Sequence, residues 1–181
     1  MGLMFTAEYG QTLIDEQEKL GLKVPISTQV QLNELEQLNI ENAIAWTLTR
    51  NLDSTNVLSE QFVKQLHKKM YGSVWKWAGE FRKTEKNIGV KAFQIPTELK
   101  YLLDDVIFWV KHQTYSPEEI AIRFKHRLVS IHCFPNGNGR HSRLMADCIM
   151  TFVFRLKAFS WNQSNLVSTT TMRKAYIDAL K

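Results

Sequence analysis

The chain is short of the residues that would make it a disulfide scaffold, a zinc knuckle or an all-β protein. Its 181 residues include two cysteines, Cys133 and Cys148, which form no CxxC pair, so neither a disulfide framework nor a metal knuckle is expected. Free thiols fit a reducing, cytoplasmic setting. Eight glycines and four prolines are too few for the dense turns of an all-β fold. No apolar run is long enough to cross a bilayer, and no basic, apolar, small-residue leader opens the chain, so no membrane partner is expected. Met1-Gly2-Leu3-Met4-Phe5-Thr6 fits only the loose myristoylation pattern. Charge of one sign is also scarce. Lys and Arg number 23 against 18 Asp and Glu, a net +5, and these charges are spread along the chain; no nucleic-acid partner is expected. No repeat or low-complexity segment is present.

What is present reads as helices. With 44% apolar residues the chain can bury the core of one domain. The first 30 or so residues are polar, end in Val24-Pro25-Ile26-Ser27-Thr28, and read as an arm on the domain surface. From Gln31 to about Arg50, Leu32, Leu35, Leu38, Ala43, Ile44 and Leu48 recur at helical spacing. Ser59 is placed to cap a second helix carrying Phe62, Leu66 and Met70, with Gly72 at its end. Pro96 opens a third, and Ser116-Pro117-Glu118-Glu119 opens a fourth that runs through Phe124 and Leu128 to His132. An apolar helix resumes from Leu144 to about Phe154, and a last one spans Thr170 to Leu180. Between the second and third, Val74–Arg82 and Asn87-Ile88-Gly89-Val90 read as a short hairpin or flap. The fold class is all-α with one small β-hairpin.

The chemistry concentrates in Ile131-His132-Cys133-Phe134-Pro135-Asn136-Gly137-Asn138-Gly139-Arg140-His141-Ser142-Arg143. Pro135 breaks the preceding helix, and the two glycines open backbone angles closed to other residues. Successive N–H groups can converge on an anion there, and the following helix adds its N-terminal potential. Arg140 and Arg143 lie three apart on one helical face and can fork onto phosphate oxygens. His132 at the rim, with an ordinary pKa near 6.5, suits a proton acceptor. Singly, each feature is ordinary: a turn, a structural histidine, a solvated pair of arginines. Together at a helix–loop–helix junction they point to a phosphate-bearing nucleotide.

This segment closely resembles the signature of the Fic family, HxFx(D/E)GNGRxxR. His132, Phe134, Gly137, Asn138, Gly139, Arg140 and Arg143 match, and Asn136 departs. Upstream, Trp77–Arg82 and Ile88-Gly89-Val90 look like the run into the family's active-site flap. The Ile131–Met145 run, the Leu32-Asn33-Glu34 region and the Arg173-Tyr176-Leu180 helix are similar to the branch called mobile mystery protein B. The resemblance divides the chain into an N-terminal arm, 1–30, and a Fic domain, 31–181, built as a helical bundle with a β-hairpin flap beside the active site.

The resemblance implies a protein adenylyltransferase that moves AMP from ATP, with magnesium or manganese, to a Ser, Thr or Tyr hydroxyl of a target protein. His132 would be the general base. Gly137, Asn138 and Gly139 would hold the α- and β-phosphates, Arg140 the β-phosphate and Arg143 the γ-phosphate. Phe134 would anchor the loop. Ile88, Gly89 and Val90 would pair main chain to main chain with the target. The Doc branch, which phosphorylates its target, carries lysine where this chain has Gly139. The family's acid at position 136 binds magnesium; Asn136 offers only a neutral oxygen. The alternative is therefore a Fic-fold nucleotide-binding or regulatory protein with weak or altered transferase activity. Many Fic proteins block the γ-phosphate site with a glutamate in (S/T)xxxE(G/N). Gln37–Asn42 ends correctly but lacks the Ser or Thr, and Thr12–Gln17 starts correctly but ends wrongly. Glu41 is the inhibitory candidate, with a small antitoxin-like or helix-turn-helix partner as the other source of a glutamate.

Overall fold

The computed structural model describes residues 14–161, and the helix expected over 170–180 lies outside them. Among the described residues seven α-helices follow in chain order: α1 Glu16–Lys19, α2 Gln29–Leu48, α3 Ser54–Val57, α4 Glu60–Tyr71, α5 Ile95–His112, α6 Pro117–Ile131 and α7 Asn138–Cys148. A 3-10 turn, Ala92–Gln94, leads into α5, and a π turn, Ile149–Val153, follows α7. Among the described residues there is no strand ladder, only an isolated antiparallel bridge between Leu22 and Trp75.

Local sequence explains the helix boundaries. The Ser59 hydroxyl accepts from Phe62 N at 3.1 Å and the Ser116 hydroxyl from Glu119 N at 3.2 Å, each satisfying an N–H that a helix start leaves open. Gly72 caps α4, and α5 takes Pro96 in its first turn. α4 lies against α2, α5 and α7, while α6 packs between α5 and α7. Leu66, Met70, Leu99, Leu102, Phe124, Phe134 and Met145 are fully buried where these helices meet. The motif loop joins α6 to α7 and therefore sits on the wall of this core.

Two elements differ from the sequence pattern. In α2 the buried positions are Leu32, Glu36, Ala43 and Thr47, whereas Leu35, Leu38, Ile44 and Leu48 face outward. Apolar count would turn the helix the other way; the buried glutamate has partners that only this orientation supplies. The N-terminal segment is also more than a polar arm. Lys23 N donates to Val74 O at 2.8 Å and Lys76 N to Gly21 O at 2.7 Å, and Trp77 Nε1 donates to Glu18 O at 3.1 Å. Gly21 is required there, because a Cβ on it would lie 2.6 Å from Trp77 Cδ1.

Two core histidines tie the bundle together as neutral rings. His67 Nδ1 accepts from Gly79 N at 3.0 Å, so its Nε2 carries the proton and donates to Asn136 O, also at 3.0 Å. His141 Nε2 donates to Val63 O at 2.9 Å. Burial pushes the His67 pKa well below its ordinary value and that of His141 down to about 4. The fold thus binds fewer protons than the unfolded chain between about pH 6.5 and 4, so stability present above 6.5 is lost as pH falls through that window. Each such histidine steepens the loss by about 1.4 kcal/mol per pH unit. Urea unfolding between pH 7 and 5 should show this slope, reduced by about one proton's worth in His141→Gln. An unchanged slope would refute the neutral buried ring.

Candidate active site

α6 ends at His132, which adopts a left-handed conformation (φ 58°, ψ 61°) that is unfavourable for a residue with a side chain. Its neighbourhood holds it there. Arg82 Nε donates to His132 O at 2.7 Å, Arg82 N to Cys133 O at 2.9 Å, and Val90 N to Ile131 O at 3.3 Å. Phe134 then turns into the core with its ring stacked on His67, centroids 3.7 Å apart. Pro135 is buried. Gly137 sits at φ 78° with its backbone against the Tyr71 ring, where a Cβ would come within 2.5 Å of Tyr71 Cζ. Phe134 thus carries the loop's aromatic ring into the core.

The Asn138 side chain has a task different from the nucleotide contact expected of it. Its Oδ1 accepts from Phe134 N at 2.9 Å and its Nδ2 donates to Phe134 O at 2.8 Å. The side chain is buried and closes the loop on itself; what it leaves outward is backbone. Gly137 caps α7 without a side-chain hydrogen bond, so the first-turn N–H groups have neither an intrahelical partner nor a side-chain cap. A Cβ placed on Gly139 would meet nothing within 4 Å. The start of α7 is therefore an open, positively polarised surface.

His132 is 4% exposed. Burial, with the positive charges of Arg82 and Lys86 nearby, pushes its pKa down to about 4, against a hydrogen bond to the Val129 backbone. The value lies well below the ordinary 6.5 expected from sequence, but the consequence for chemistry is the same at neutral pH: the ring is unprotonated and can accept a proton.

Arg140 and Arg143 rise from the first turns of α7. Arg140 Nη2 lies 2.7 Å from Glu36 Oε2, and the other Glu36 oxygen accepts from Trp75 Nε1 at 2.8 Å. Its guanidinium carbon sits 5.3 Å from the Tyr71 ring centroid. Burial disfavours the Arg140 charge, yet Tyr71 and Glu36 outweigh it and hold its pKa above the ordinary value. The Arg140 side chain remains 40% exposed, leaving donors to the outside. Arg143 is half-buried one turn on. The glutamate that meets a motif arginine is thus Glu36. Glu41 lies exposed on the outer face of α2, accepting from Gln37 Nε2 at 3.1 Å, and is not at the site.

The expected hairpin at 74–90 does not form. Val74–Arg82 is a series of turns and 87–90 a bend. Arg82 explains why: besides His132 O it donates to Thr84 O at 2.9 Å and to Val90 O, so the loop is tied to the motif instead of to a partner strand. The loop still has a strand's alternation. Lys83, Glu85, Asn87, Gly89 and Lys91 are exposed, while Thr84, Lys86, Ile88 and Val90 are half-buried. Gly89, at φ 98°, crosses directly over the histidine; a Cβ on it would lie 2.6 Å from His132 Cβ and 2.9 Å from Arg82 Nη2.

The residues around Asn136 fit a divalent cation poorly. The Asn136 Oδ1 already accepts from Gly137 N at 2.6 Å, and it is a neutral donor where magnesium favours anionic oxygens. Among the described residues no three His, Cys, Asp or Glu side chains are grouped to hold an ion. Sequence reasoning missed Arg82, Glu36, His67 and Tyr71. Glu36 lies four residues after Leu32 and seven before Ala43 on the face that packs, a signal that becomes readable only once that face is known; Arg82 carries none beyond its place at the end of an aromatic run.

Comparisons with known proteins bear on this arrangement. The protein adenylyltransferase Fic of Aedes aegypti is 24% identical over 119 residues, which are 64% of this chain and 24% of that protein. The protein of the same name from Drosophila grimshawi is 30% identical over 92 residues, 49% of this chain and 19% of the other. The chain thus spans a quarter or less of the length of these curated relatives. Among solved structures, the N-terminal FIC domain of the effector Bep8 from Bartonella sp. 1-1C superposes with a TM-score of 0.68 at 19% identity, covering 89% of this chain and 81% of that one. BepC from Bartonella tribocorum, solved with bound AMPPNP, gives 0.65 at 18% identity, covering 92% and 90%. At such identities the solved structures speak for the fold. The model of the Fic/DOC family matches residues 57–150, more than half of the chain and all of the motif: the chain belongs to the Fic/DOC family.

Proposed function

We propose that the chain is a nucleotidyltransferase that moves AMP from ATP to a hydroxyl of a target protein. The observation that carries the reading is the placement of His132 at the end of α6, on one side of the motif loop, with the uncapped start of α7 on the other, where Gly139 leaves open space. The AMPPNP bound to BepC and the adenylyltransferase names of the insect relatives favour the same chemistry. The triphosphate lies along the first-turn N–H groups and the Arg140 and Arg143 guanidiniums. The target hydroxyl gives its proton to the His132 ring, its oxygen bonds the α-phosphorus, and the bond to the β-phosphate oxygen breaks, releasing pyrophosphate. The arginines take up the charge that develops on the leaving group. The loop 84–90, exposed on alternate residues, offers a target segment a main-chain edge beside His132.

The reading is tested with ATP labelled at the α- or γ-phosphorus and a cell extract. Label from the α position on a protein, none from the γ position, and loss of transfer in His132→Ala with ATP binding retained are the expected results. Transfer of γ-label alone would indicate phosphorylation, and none of either would leave a nucleotide-binding protein.

The Arg140–Glu36 pair separates binding from stability. Arg140→Ala should weaken ATP binding by about 1–3 kcal/mol. It should also destabilise the fold by about 1–2 kcal/mol, since it strands a buried carboxylate whose partner was itself partly exposed. Adding Glu36→Gln keeps an acceptor for Trp75 and removes the stranded charge, so it should restore stability but not ATP affinity. Calorimetry and urea unfolding on the three forms decide this; recovery of ATP affinity in the double variant would remove Arg140 from the phosphate site.

Asn136 favours the second reading, a Fic-fold protein with weak transfer. A carboxylate at this place would add a charge for a divalent ion, and Asn136→Asp should lower the magnesium concentration needed for half-maximal ATP binding about ten- to a hundredfold, equivalent to ~1–3 kcal/mol. Intact mass must first exclude deamidation of the Asn136-Gly137 pair. No change across a metal titration would show that the amide is not what limits metal use.

A further inference from the structure

The loop over His132 is held from below by Arg82 and from outside by the N-terminal segment. Lys86, near the middle of the loop, points back into the protein with 6% of its side chain exposed, and its Nζ lies 2.5 Å from Glu18 Oε2 and 3.7 Å from Asp15 Oδ2. The Glu18 side chain is itself 10% exposed. Its other oxygen accepts from Thr84 Oγ1 at 3.1 Å. The same carboxylate accepts from Asp15 N at 2.9 Å, and Asp15 Oδ1 accepts from Glu18 N at 2.8 Å. One buried glutamate therefore completes the capping box of α1, grips the loop at two residues, and has its own backbone pinned by Trp77. The partners lie 66 and 68 residues apart in sequence. Residues 14–24 lie outside 57–150, the stretch that matches the family model.

An ordinary surface ion pair would carry little weight. Here both charges are withdrawn from water, and loss of either partner leaves the other buried and uncompensated. The loop has strand-like alternation but no partner strand, so these side-chain ties and the Arg82 ties, with the Val90 N–Ile131 O bond at its far end, fix its course. That course decides where Gly89 crosses His132.

We propose that Glu18, supported by Asp15, is a positioning residue for the 84–90 loop: through Lys86 and Thr84 the N-terminal segment sets the height of that loop over His132, and with it the access of a target segment to the histidine. The consequence for target access rests on the transferase reading above; the mechanical statement does not.

Hydrogen exchange on the full-length chain without ligand tests the mechanical part. In Glu18→Gln and in Lys86→Met, exchange of the 84–90 amides should quicken about tenfold or more, with α4, α6 and α7 unchanged. Lys86→Arg, which keeps the charge, should stay near the original rate. Thr84→Val removes the second tie without burying an unpaired charge; it should quicken the same amides even where Glu18→Gln lowers global stability. ATP affinity by calorimetry should remain within about twofold in all four. The His132 ring provides a further readout: removing the Lys86 charge in Lys86→Met should raise its NMR titration midpoint. Unchanged loop exchange in Glu18→Gln, Lys86→Met and Thr84→Val overturns the proposal, as does quickening spread equally over the helices. Should the chain transfer no label from ATP, the transferase reading falls while loop exchange still decides the positioning role.

Discussion

Arg82 places a full positive charge where water does not reach, and the geometry of the site follows from how that charge is accommodated. The side chain is fully buried, and its nearest carboxylate, Glu85, is 3.8 Å away and largely exposed. Backbone carbonyls do most of the work: His132 O, Thr84 O and Val90 O surround the guanidinium. Burial lowers the Arg82 pKa, but a guanidinium stays charged. A planar fork with five donors can bridge three carbonyls from two chain segments, which an ammonium on a flexible stem matches poorly. The same contacts hold His132 in its left-handed conformation and bring Gly89 over it, and the Arg82 charge helps to keep the ring neutral.

The floor of the site rests on neutral hydrogen bonds and ring packing, and its walls rest on ion pairs. Under the loop, His67 joins Gly79 N to Asn136 O while stacking on Phe134, and Asn138 clasps the Phe134 backbone on both sides. A charged ring at His67 would lose its acceptor for Gly79, so deep burial and the tautomer support each other. Around the rim, Glu36 from α2 holds Arg140, and Glu18 from the N-terminal segment holds Lys86. Both glutamates come from before residue 57, so segments outside the matched core set the electrostatics of a loop inside it.

Much of this was legible in the sequence. Helix caps at Ser59, Gly72 and Ser116 and the proline near the start of α5 fall where turn and cap chemistry puts them. The motif loop, its glycines and the Phe134 anchor follow from Pro135, the two glycines and an aromatic between helices. Two things were not legible, for a shared reason. α2 is apolar on more than one side, so periodicity could not tell which face packs; a long-range pair, Glu36 with Arg140 and Trp75, decides it. The segment around Gly89 has strand-forming residues, but Arg82, which folding brings against it, takes the Thr84 and Val90 carbonyls. Local pattern reports preference, and in both places a buried charge with distant partners overrides it.

The departure at Asn136 is best understood through the same division. The Asn136 side chain accepts from the Gly137 N–H and its backbone carbonyl accepts from His67, so the residue is built into the neutral floor as well as facing the phosphate surface. A carboxylate would accept the same N–H more strongly, but it would place a negative charge beside the open start of α7, where the phosphates of the proposed nucleotide would be negative too. With a divalent ion present, that charge is neutralised and useful; without one, it repels the ligand. Asparagine keeps the turn and removes the repulsion, leaving Arg140, Arg143 and the helix start to attract the anion. For the proposed transferase this would exchange strength of metal binding for a phosphate surface whose attraction depends less on the metal; the residue that departs from the motif changes the charge of the loop while keeping its turn.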